Sequence, residues 1–460
     1  MNYLSRPLHI IPRIAKIALC FAIIAVLFVF SASALDEPAV TRCKAALVYN
    51  IENEKLLFST GRGQILAPAS TVKLMTAVVA LDYYTEKGEL DKPITVSYEM
   101  IKDVTGNNIG LVAGEVVTPR QLIAALVVGG SNDAAFALAI DSYGSIEDFV
   151  KEMNARAERL GMAHTYYTNP TGLDSEAART TLEDTLIIAL EAYRRNELME
   201  LAGLDRYVMD ATNKSNTRYI HNRNYMVSTA VTNEYYDKYV TGINSGMTPA
   251  GGWCLVSTSR KNGITQLVIV MGAEREVFPD GTYGKIYSYV NAKLLFDWAF
   301  SNFDYIRVLE NTRMICEIPV SLGRGVDHVT LLPEKSIDLY LPVDVDVEKD
   351  IVLSWALDKP SLTAPVKAGE VAGLLTLYYK DEIVGRVNLV VKNNVELYRL
   401  MQILYNLRSV GNILYGPPME RWAHLEDMNT PDMVPLVVLG GAIFLGGLFP
   451  SYLMEMINGS

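Results

Sequence analysis

Ala67-Pro68-Ala69-Ser70-Thr71-Val72-Lys73-Leu74-Met75-Thr76 is the stretch on which the fold and the chemistry turn. It opens an apolar helix. On a helix, residues three apart share a face, so Lys73 can reach the Ser70 hydroxyl. Serine is a poor nucleophile until a base takes its proton, and lysine serves as that base only when neutral. Burial and the positive end of the helix dipole both lower a lysine pKa. The start of a helix also offers a backbone N–H to an oxyanion. Alone, S-x-x-K arises often by chance, and an N-cap serine followed by a solvated lysine looks the same.

The surrounding sequence frames this helix. Residues 44–59 read as two apolar strands around a turn at Asn50–Glu54, a hairpin. Thr118-Pro119-Arg120-Gln121 is a capping box with proline at the first helical position, and its helix runs to Gly129-Gly130. Further helices are expected at 133–142, 145–160, 181–194 and 284–300, with apolar strands at 253–259 and 265–272. Strands from both ends of the region flank these helices, which predicts an α/β or α+β domain over 42–303. After 304 the texture changes to short β-rich runs at 314–320, 327–332, 336–342, 350–356, 371–380 and 384–391. They predict a small antiparallel β domain over 304–392.

Both termini carry apolar stretches. Arg6, Arg13 and Lys16 precede the uncharged run Ile17–Phe30, and Ser31-Ala32-Ser33-Ala34 follows. This is the layout of a signal peptide over 1–34, and export is the expectation. Met433 to Met454 is 22 residues without a charge. As a helix at ~1.5 Å per residue it is long enough to cross a bilayer. It reads as a transmembrane or membrane-anchor helix, with a buried core helix as the alternative. Between 393 and 432 lie an amphipathic helix (Leu397, Leu400, Met401, Leu404 and Leu407 on one face) and a linker.

Composition narrows the partners. The 460 residues hold 41 basic and 52 acidic side chains, net −11, and removing 1–34 leaves net −14. So acidic a chain repels phosphate backbones, and nucleic acid is not an expected partner. Neither C-x-x-C nor H-E-x-x-H occurs among the four cysteines and five histidines, so a zinc motif is not expected. Asp344, Asp346, Glu348 and Asp350 read as a solvated acidic loop rather than a calcium site. Glu115 and Asp133 read as solvated or capping residues. The Tyr235-Tyr236 and Tyr378-Tyr379 pairs read as packing.

The string around Ser70 resembles the nucleophile segment of the D-alanyl-D-alanine carboxypeptidases, the low-molecular-weight penicillin-binding proteins. Four further segments are similar to theirs, in the same order. Gly130-Ser131-Asn132-Asp133-Ala134-Ala135 stands where that family has S-x-N, and Asn169-Pro170-Thr171-Gly172-Leu173-Asp174 where it has N-P-x-G-L-D. Gly242-Ile243-Asn244-Ser245-Gly246-Met247-Thr248 stands at its K-T-G strand, and Ala364-Pro365-Val366-Lys367-Ala368-Gly369 in its C-terminal domain. The resemblance covers about 42–395. It implies a serine β-lactamase/penicillin-binding-protein-like α/β (α+β) domain, then the small all-β domain and the C-terminal hydrophobic helix. It implies Ser70 as acylated nucleophile, Lys73 as its base, the N–H groups of Ser70 and Met247 as oxyanion hole, and Asn132 against the substrate amide. Asn244, Ser245, Gly246 and Met247 become the substrate-binding strand, and no metal or organic cofactor is called for.

Two positions depart from the family pattern. With Asn132 in register, Gly130 occupies the place of the S-x-N serine, and Ser131 is the nearest hydroxyl able to take over its proton relay. Asn244 replaces the K-T-G lysine, whose cation attracts the substrate carboxylate, and Ser245 replaces threonine. Arg218, Arg223 and Arg260 are nearby cations that could compensate. The function expected is a D-Ala-D-Ala carboxypeptidase trimming peptidoglycan stem peptides and acylated by β-lactams, on the outer face of the bacterial cytoplasmic membrane. The alternatives are a catalytically weakened wall-binding or scaffold protein and, with no E-x-x-L-N segment to support it, a β-lactamase.

Overall fold

The computed structural model describes residues 36–399 and residue 403. They form two compact units. The first comprises residues up to Ile306 together with Leu339–Val345, and the second comprises Arg307–Asp338 and the residues from Asp346 onward.

The first unit is built on a five-stranded antiparallel sheet. Its strands are β1 (Ala45–Asn50), β2 (Lys55–Thr60), β3 (Val240–Thr248), β4 (Gly252–Lys261) and β5 (Ile264–Ala273), in the spatial order β2-β1-β5-β4-β3. Because side chains alternate across a strand, successive residues serve two cores. Ala45 and Leu47 of β1, with Leu267, Ile269 and Met271 of β5, face a helical lobe. Ala46 and Val48, with Val268 and Val270, face the other way. Burial on both faces is why Leu267–Met271 is an unbroken apolar run rather than an alternating one.

The helical lobe contains α1 (Val72–Lys87), α2 (Pro119–Gly129), α3 (Asn132–Tyr143), α4 (Ile146–Arg159), α5 (Leu182–Tyr193) and α6 (Asn196–Ala202). α1 is buried continuously from Val72 to Leu81. A helix apolar on all sides belongs inside a core, and this one ends at Gly88 in the left-handed conformation (φ +67°) that a helix C-terminus favours. The opposite face of the sheet is covered by α7 (Tyr287–Asn302), whose Tyr289, Ala292, Leu295, Phe296 and Ala299 are buried. The predicted capping box forms: Thr118 Oγ1 accepts from the Gln121 N–H at 3.2 Å, and the Gln121 side chain accepts from the Thr118 N–H at 2.9 Å.

The second unit holds a six-stranded sheet of β6 (Cys316–Ser321), β7 (His328–Pro333), β8 (Ile351–Leu357), β9 (Leu362–Thr363), β10 (Val371–Tyr379) and β11 (Glu382–Val391), in the order β8-β10-β11-β7-β6-β9. Its pairs are antiparallel except β6 with β9, which run parallel. The predicted run 336–342 forms a strand (Ile337–Pro342), but its residues from Leu339 onward group with the first unit. Residues 1–34, the linker and the 433–454 segment lie outside the described residues, as does most of the predicted amphipathic helix. Leu397, assigned to that helix, instead pairs with Gly323 in an isolated antiparallel bridge. Among the described residues no helix is long and apolar enough to cross a membrane. Cys43, Cys254 and Cys316 are free thiols.

Candidate active site

Ser70 sits in the short turn Ala69–Thr71 that leads into α1, half-buried. Ala69 before it takes a left-handed backbone (φ +46°). That conformation is costly for a residue with a Cβ and persists only where the surroundings impose it. Here they are two glycine loops. A Cβ on Gly172 would stand 1.8 Å from the Ala69 carbonyl oxygen, and one on Gly251 would stand 2.6 Å from the Ala69 Cβ. The Ser70 turn is therefore pressed between 169–174, which meets its main chain, and the β3–β4 turn, which meets the Ala69 Cβ.

Lys73 lies one turn further on, 5 % exposed. Its Nζ donates to the Thr171 carbonyl at 2.6 Å. Burial lowers its pKa from the ordinary lysine value to about 7, because a buried ammonium loses its hydration. The neutral amine that S-x-x-K chemistry needs is thus available near neutral pH. Asn169 shapes the loop that holds it: its Oδ1 accepts from the N–H groups of Thr171 and Gly172 at 3.1 and 2.7 Å, and its Nδ2 donates to the Leu173 carbonyl at 2.9 Å. Thr76 Oγ1 donates to the Pro170 carbonyl at 2.7 Å, and Asp174 accepts from the Ala250 N–H at 2.9 Å. N-P-T-G-L-D is in this way the clamp that fixes the helix start, Lys73 and the β3–β4 turn together.

The third motif closes the pocket from the sheet side. A Cβ on Gly246 would come within 2.2 Å of Ser70 Oγ and 2.3 Å of its Cβ, so only glycine lets β3 pass this close to Ser70. Met247 follows, half exposed. Asn244 is 6 % exposed and lines the same small space as Lys73, Leu74, Ala77 and Ile243. Its Oδ1 has no hydrogen-bond partner among the described residues. The Ser245 hydroxyl, expected to meet the substrate, donates to the Arg223 carbonyl at 2.7 Å.

The second motif spans the junction of α2 and α3. Gly130 ends α2 in a left-handed conformation (φ +63°). Asn132 opens α3; its N–H donates to the Asn107 carbonyl and its Nδ2 to the Thr105 carbonyl, both at 2.7 Å, while its Oδ1 is buried without a partner among the described residues. The relay expected of Ser131 is corrected here. Ser131 is fully buried, and its Oγ has neither solvent access nor a hydrogen-bond partner among the described residues. Burial of this kind sets Ser131 apart from the accessible hydroxyl that a relay to a leaving group uses.

Glu115 also needs correction. It is fully buried, not solvated: Arg218 grips it through Nη1–Oε1 at 2.7 Å and Nη2–Oε2 at 2.9 Å, and Thr212 adds a bond at 2.8 Å. Burial alone would raise its pKa, but these bonds outweigh that and hold it below the usual carboxylate value. Asp133 is corrected too: it is buried, not solvated, and instead of capping its own helix it accepts from the loop N–H groups of Ile109 and Leu111 at about 3 Å. Among the described residues no His, Cys, Asp and Glu group could hold a metal ion.

The sequence signals missed one participant's place. Tyr289 of α7 donates to the Arg223 carbonyl at 3.1 Å and stacks between Tyr225 and Tyr235, with ring centroids 5.3 and 4.9 Å away. Tyr236, the neighbour of Tyr235, is exposed. Only the Tyr235-Tyr236 pair hinted at an aromatic packing column behind the third motif.

A half-buried serine before a central helix, a buried lysine one turn on whose pKa is lowered to about 7, and a glycine strand against the serine together define an active-serine hydrolase. Residues 31–275 match the D-alanyl-D-alanine carboxypeptidase family, and residues 311–397 match the C-terminal domain of penicillin-binding protein 5. The chain is 25% identical over 362 residues to D-alanyl-D-alanine carboxypeptidase DacF of Bacillus subtilis (strain 168), covering 77% of this chain and 86% of that one. It is 25% identical over 396 residues to D-alanyl-D-alanine carboxypeptidase DacC of Escherichia coli (strain K12), covering 81% and 90%. Among solved structures, penicillin binding protein 5 from Haemophilus influenzae superposes with a TM-score of 0.56 at 23% identity, covering 79% of this chain and 100% of that one. The chain belongs to the D-alanyl-D-alanine carboxypeptidase family and is a serine peptidase.

Proposed function

We propose that the chain removes the terminal D-alanine from peptidoglycan stem peptides through an acyl-enzyme on Ser70. The observation that carries this reading is Lys73: buried, with a pKa near 7, one helical turn from Ser70 and anchored on the Thr171 carbonyl. Lys73 takes the Ser70 proton as Oγ attacks the carbonyl carbon of the penultimate D-alanine. The N–H groups of Ser70 and Met247 hold the oxyanion, and the Asn132 amide faces the substrate backbone. With Ser131 sealed, the Lys73 ammonium returns the proton to the leaving D-alanine nitrogen. Water then hydrolyses the ester, with Lys73 again as base. β-Lactams acylate the same oxygen because their strained amide stands in for the D-Ala-D-Ala bond.

The place of action is the outer face of the cytoplasmic membrane, reached by a signal peptide at 1–34 and held by the 433–454 segment. The charged start and A-x-A end of the first, and the uncharged length of the second, support this. Mass spectrometry of the purified protein after exposure to a penicillin and to a D-Ala-D-Ala peptide tests the chemistry. A single adduct on the Ser70 peptide, absent in Ser70→Ala, is expected, and an adduct that survives this substitution defeats the assignment. Truncation near residue 425 tests the anchor: the product should leave the membrane fraction, and its retention would refute that role for 433–454.

A further inference from the structure

Glu115, Arg218 and Asp133 take no part in the chemistry above, yet all three grip one stretch of chain, Thr105–Val116. Within it Thr105–Asn108 and Gly110 are exposed. A loop that lies open to solvent buries little of its own surface, so its position depends on the groups that tie it down.

Asp133 ties the middle of the loop. Its carboxylate accepts from the N–H groups of Ile109 at 3.1 Å and Leu111 at 3.0 Å. Arg218 donates to the Gly110 carbonyl at 3.2 Å while both of its terminal nitrogens hold Glu115. Glu115 in turn accepts from the Val112 N–H at 3.2 Å. Arg218 opens the strand Arg218–His221, which pairs with Arg206–Met209. The turn between these strands adds Thr212 on Glu115, and Asn213, whose amide accepts from the Val116 N–H at 2.8 Å and donates to the Gly114 carbonyl at 2.9 Å.

What the loop holds is Asn132. The Thr105 carbonyl accepts from Asn132 Nδ2 and the Asn107 carbonyl from the Asn132 N–H, both at 2.7 Å. A Cβ on Gly106 would stand 3.0 Å from Asn132 Nδ2 and 3.9 Å from Leu173 Cδ2, so the loop runs between Asn132 and the 169–174 clamp. A carbonyl oxygen only accepts. Thr105 therefore draws the NH₂ end of the Asn132 amide to itself and turns Oδ1 the other way.

Resting on the carboxypeptidase reading above, in which Asn132 meets the substrate amide, we propose that Asp133, Glu115 and Arg218 are positioning residues that hold the Thr105–Leu111 strap and through it fix the orientation of the Asn132 amide. Asp133 is next to Asn132 in sequence but acts on it by way of a loop 22 residues upstream. The Glu115–Arg218 pair extends the same control to the hairpin over 206–221.

The test uses acylation of Ser70 by two β-lactams that differ in the amide Asn132 would meet: a penicillin with an acylamino side chain, and 6-aminopenicillanic acid, the same ring with a free amine. Full-length wild type, Asn132→Ala, Asp133→Asn and the double variant Glu115→Gln/Arg218→Met are compared, with melting recorded for each. The double variant removes both charges at once, because a lone charge left in a buried site destabilises the fold. Asn132→Ala should slow the acylamino penicillin roughly 3- to 12-fold more than the bare ring, the worth of one neutral hydrogen bond. Asp133→Asn and the double variant should reproduce that selective loss and change the bare ring by less than about twofold. Asp133→Asn leaves the ion pair intact and decides the question if the double variant does not fold. An equal loss on both compounds would make the three residues supports of the fold alone and overturn the proposal, as would unchanged rates on both. If Asn132→Ala shows no selectivity, Asn132 does not meet the amide and the proposal fails while Ser70 chemistry stands. If the wild type takes no acyl group from either compound, the carboxypeptidase reading itself fails.

Discussion

The two walls of the pocket are built on opposite plans. On the nucleophile wall, Ala69, Ser70 and Lys73 are pinned by backbone contacts with Gly172, Gly251 and Gly246 and by the Thr171 carbonyl. On the recognition wall, Asn132 Oδ1 and Asn244 Oδ1 are buried without partners among the described residues, Gly130 offers no side chain, and Arg223 is exposed. The first wall is over-determined, and the second leaves hydrogen-bonding capacity unused. A buried polar atom without a partner carries a desolvation cost of about 1–3 kcal/mol, which a bound amide N–H or water offsets. The contrast is between a serine turn fixed by main-chain contacts and a recognition wall made of polar side chains.

Substitutions can break this contrast, in descending order of expected effect. Ser70→Ala should take turnover to background, as loss of a serine nucleophile costs on the order of 10⁶-fold. Lys73→Ala should lower the rate of Ser70 acylation by ~10²–10⁴-fold with the fold retained, the range for a general base. A normal acylation rate there would show that the base stands on the other wall. Gly246→Ala places a methyl on the Ser70 hydroxyl and should cost on the order of 10²-fold in acylation, with circular dichroism unchanged. An active Gly246→Ala protein would mean that β3 moves aside, so the nucleophile wall is not rigid.

The pH profile sharpens the same point. Lys73 must be neutral to accept the proton, and burial brings its pKa to about 7. Below that value the amine is protonated, so acylation should fall about tenfold per pH unit as pH drops and level off above it. Stopped-flow acylation from about pH 5 to 9 reads this, and a flat profile excludes Lys73 as the base. The smallest effect belongs to Ser131→Ala. Removing an unpartnered buried hydroxyl should change kcat/KM by less than about threefold and leave stability equal or higher. A large loss of activity would restore Ser131 as the relay.

What the sequence disclosed follows the same division. The capped start at Thr118, the stop at Gly129-Gly130 and the apolar strands were legible because caps and apolar periodicity are local signals. Ser70 and Lys73 stood out through their spacing together with the ordered family-like segments around them, since S-x-x-K alone arises often by chance. Ser131 was misread because motif register counts residues, whereas access depends on which way a helix cap turns its side chain. Glu115 was misread because its partner Arg218 is 103 residues away, and no local pattern announces a buried pair. Three arginines near the third motif looked equivalent until hydrogen bonds showed Arg218 committed to Glu115. The strand at 337–342 was found, but its division between units depends on long-range packing that a β-rich stretch does not encode.

The contact between Gly172 and the Ala69 carbonyl has a genetic consequence. A Cβ at 172 collides with a main-chain oxygen 1.8 Å away, and every amino acid carries that oxygen. Exchanging residue 69 therefore cannot relieve a substitution at 172, unlike a side-chain clash, which a smaller neighbour suppresses. Position 172 has no compensatory partner in the nucleophile turn. In a selection for regained activity starting from Gly172→Ala, true revertants should dominate, and intragenic suppressors should be absent from codons 67–71.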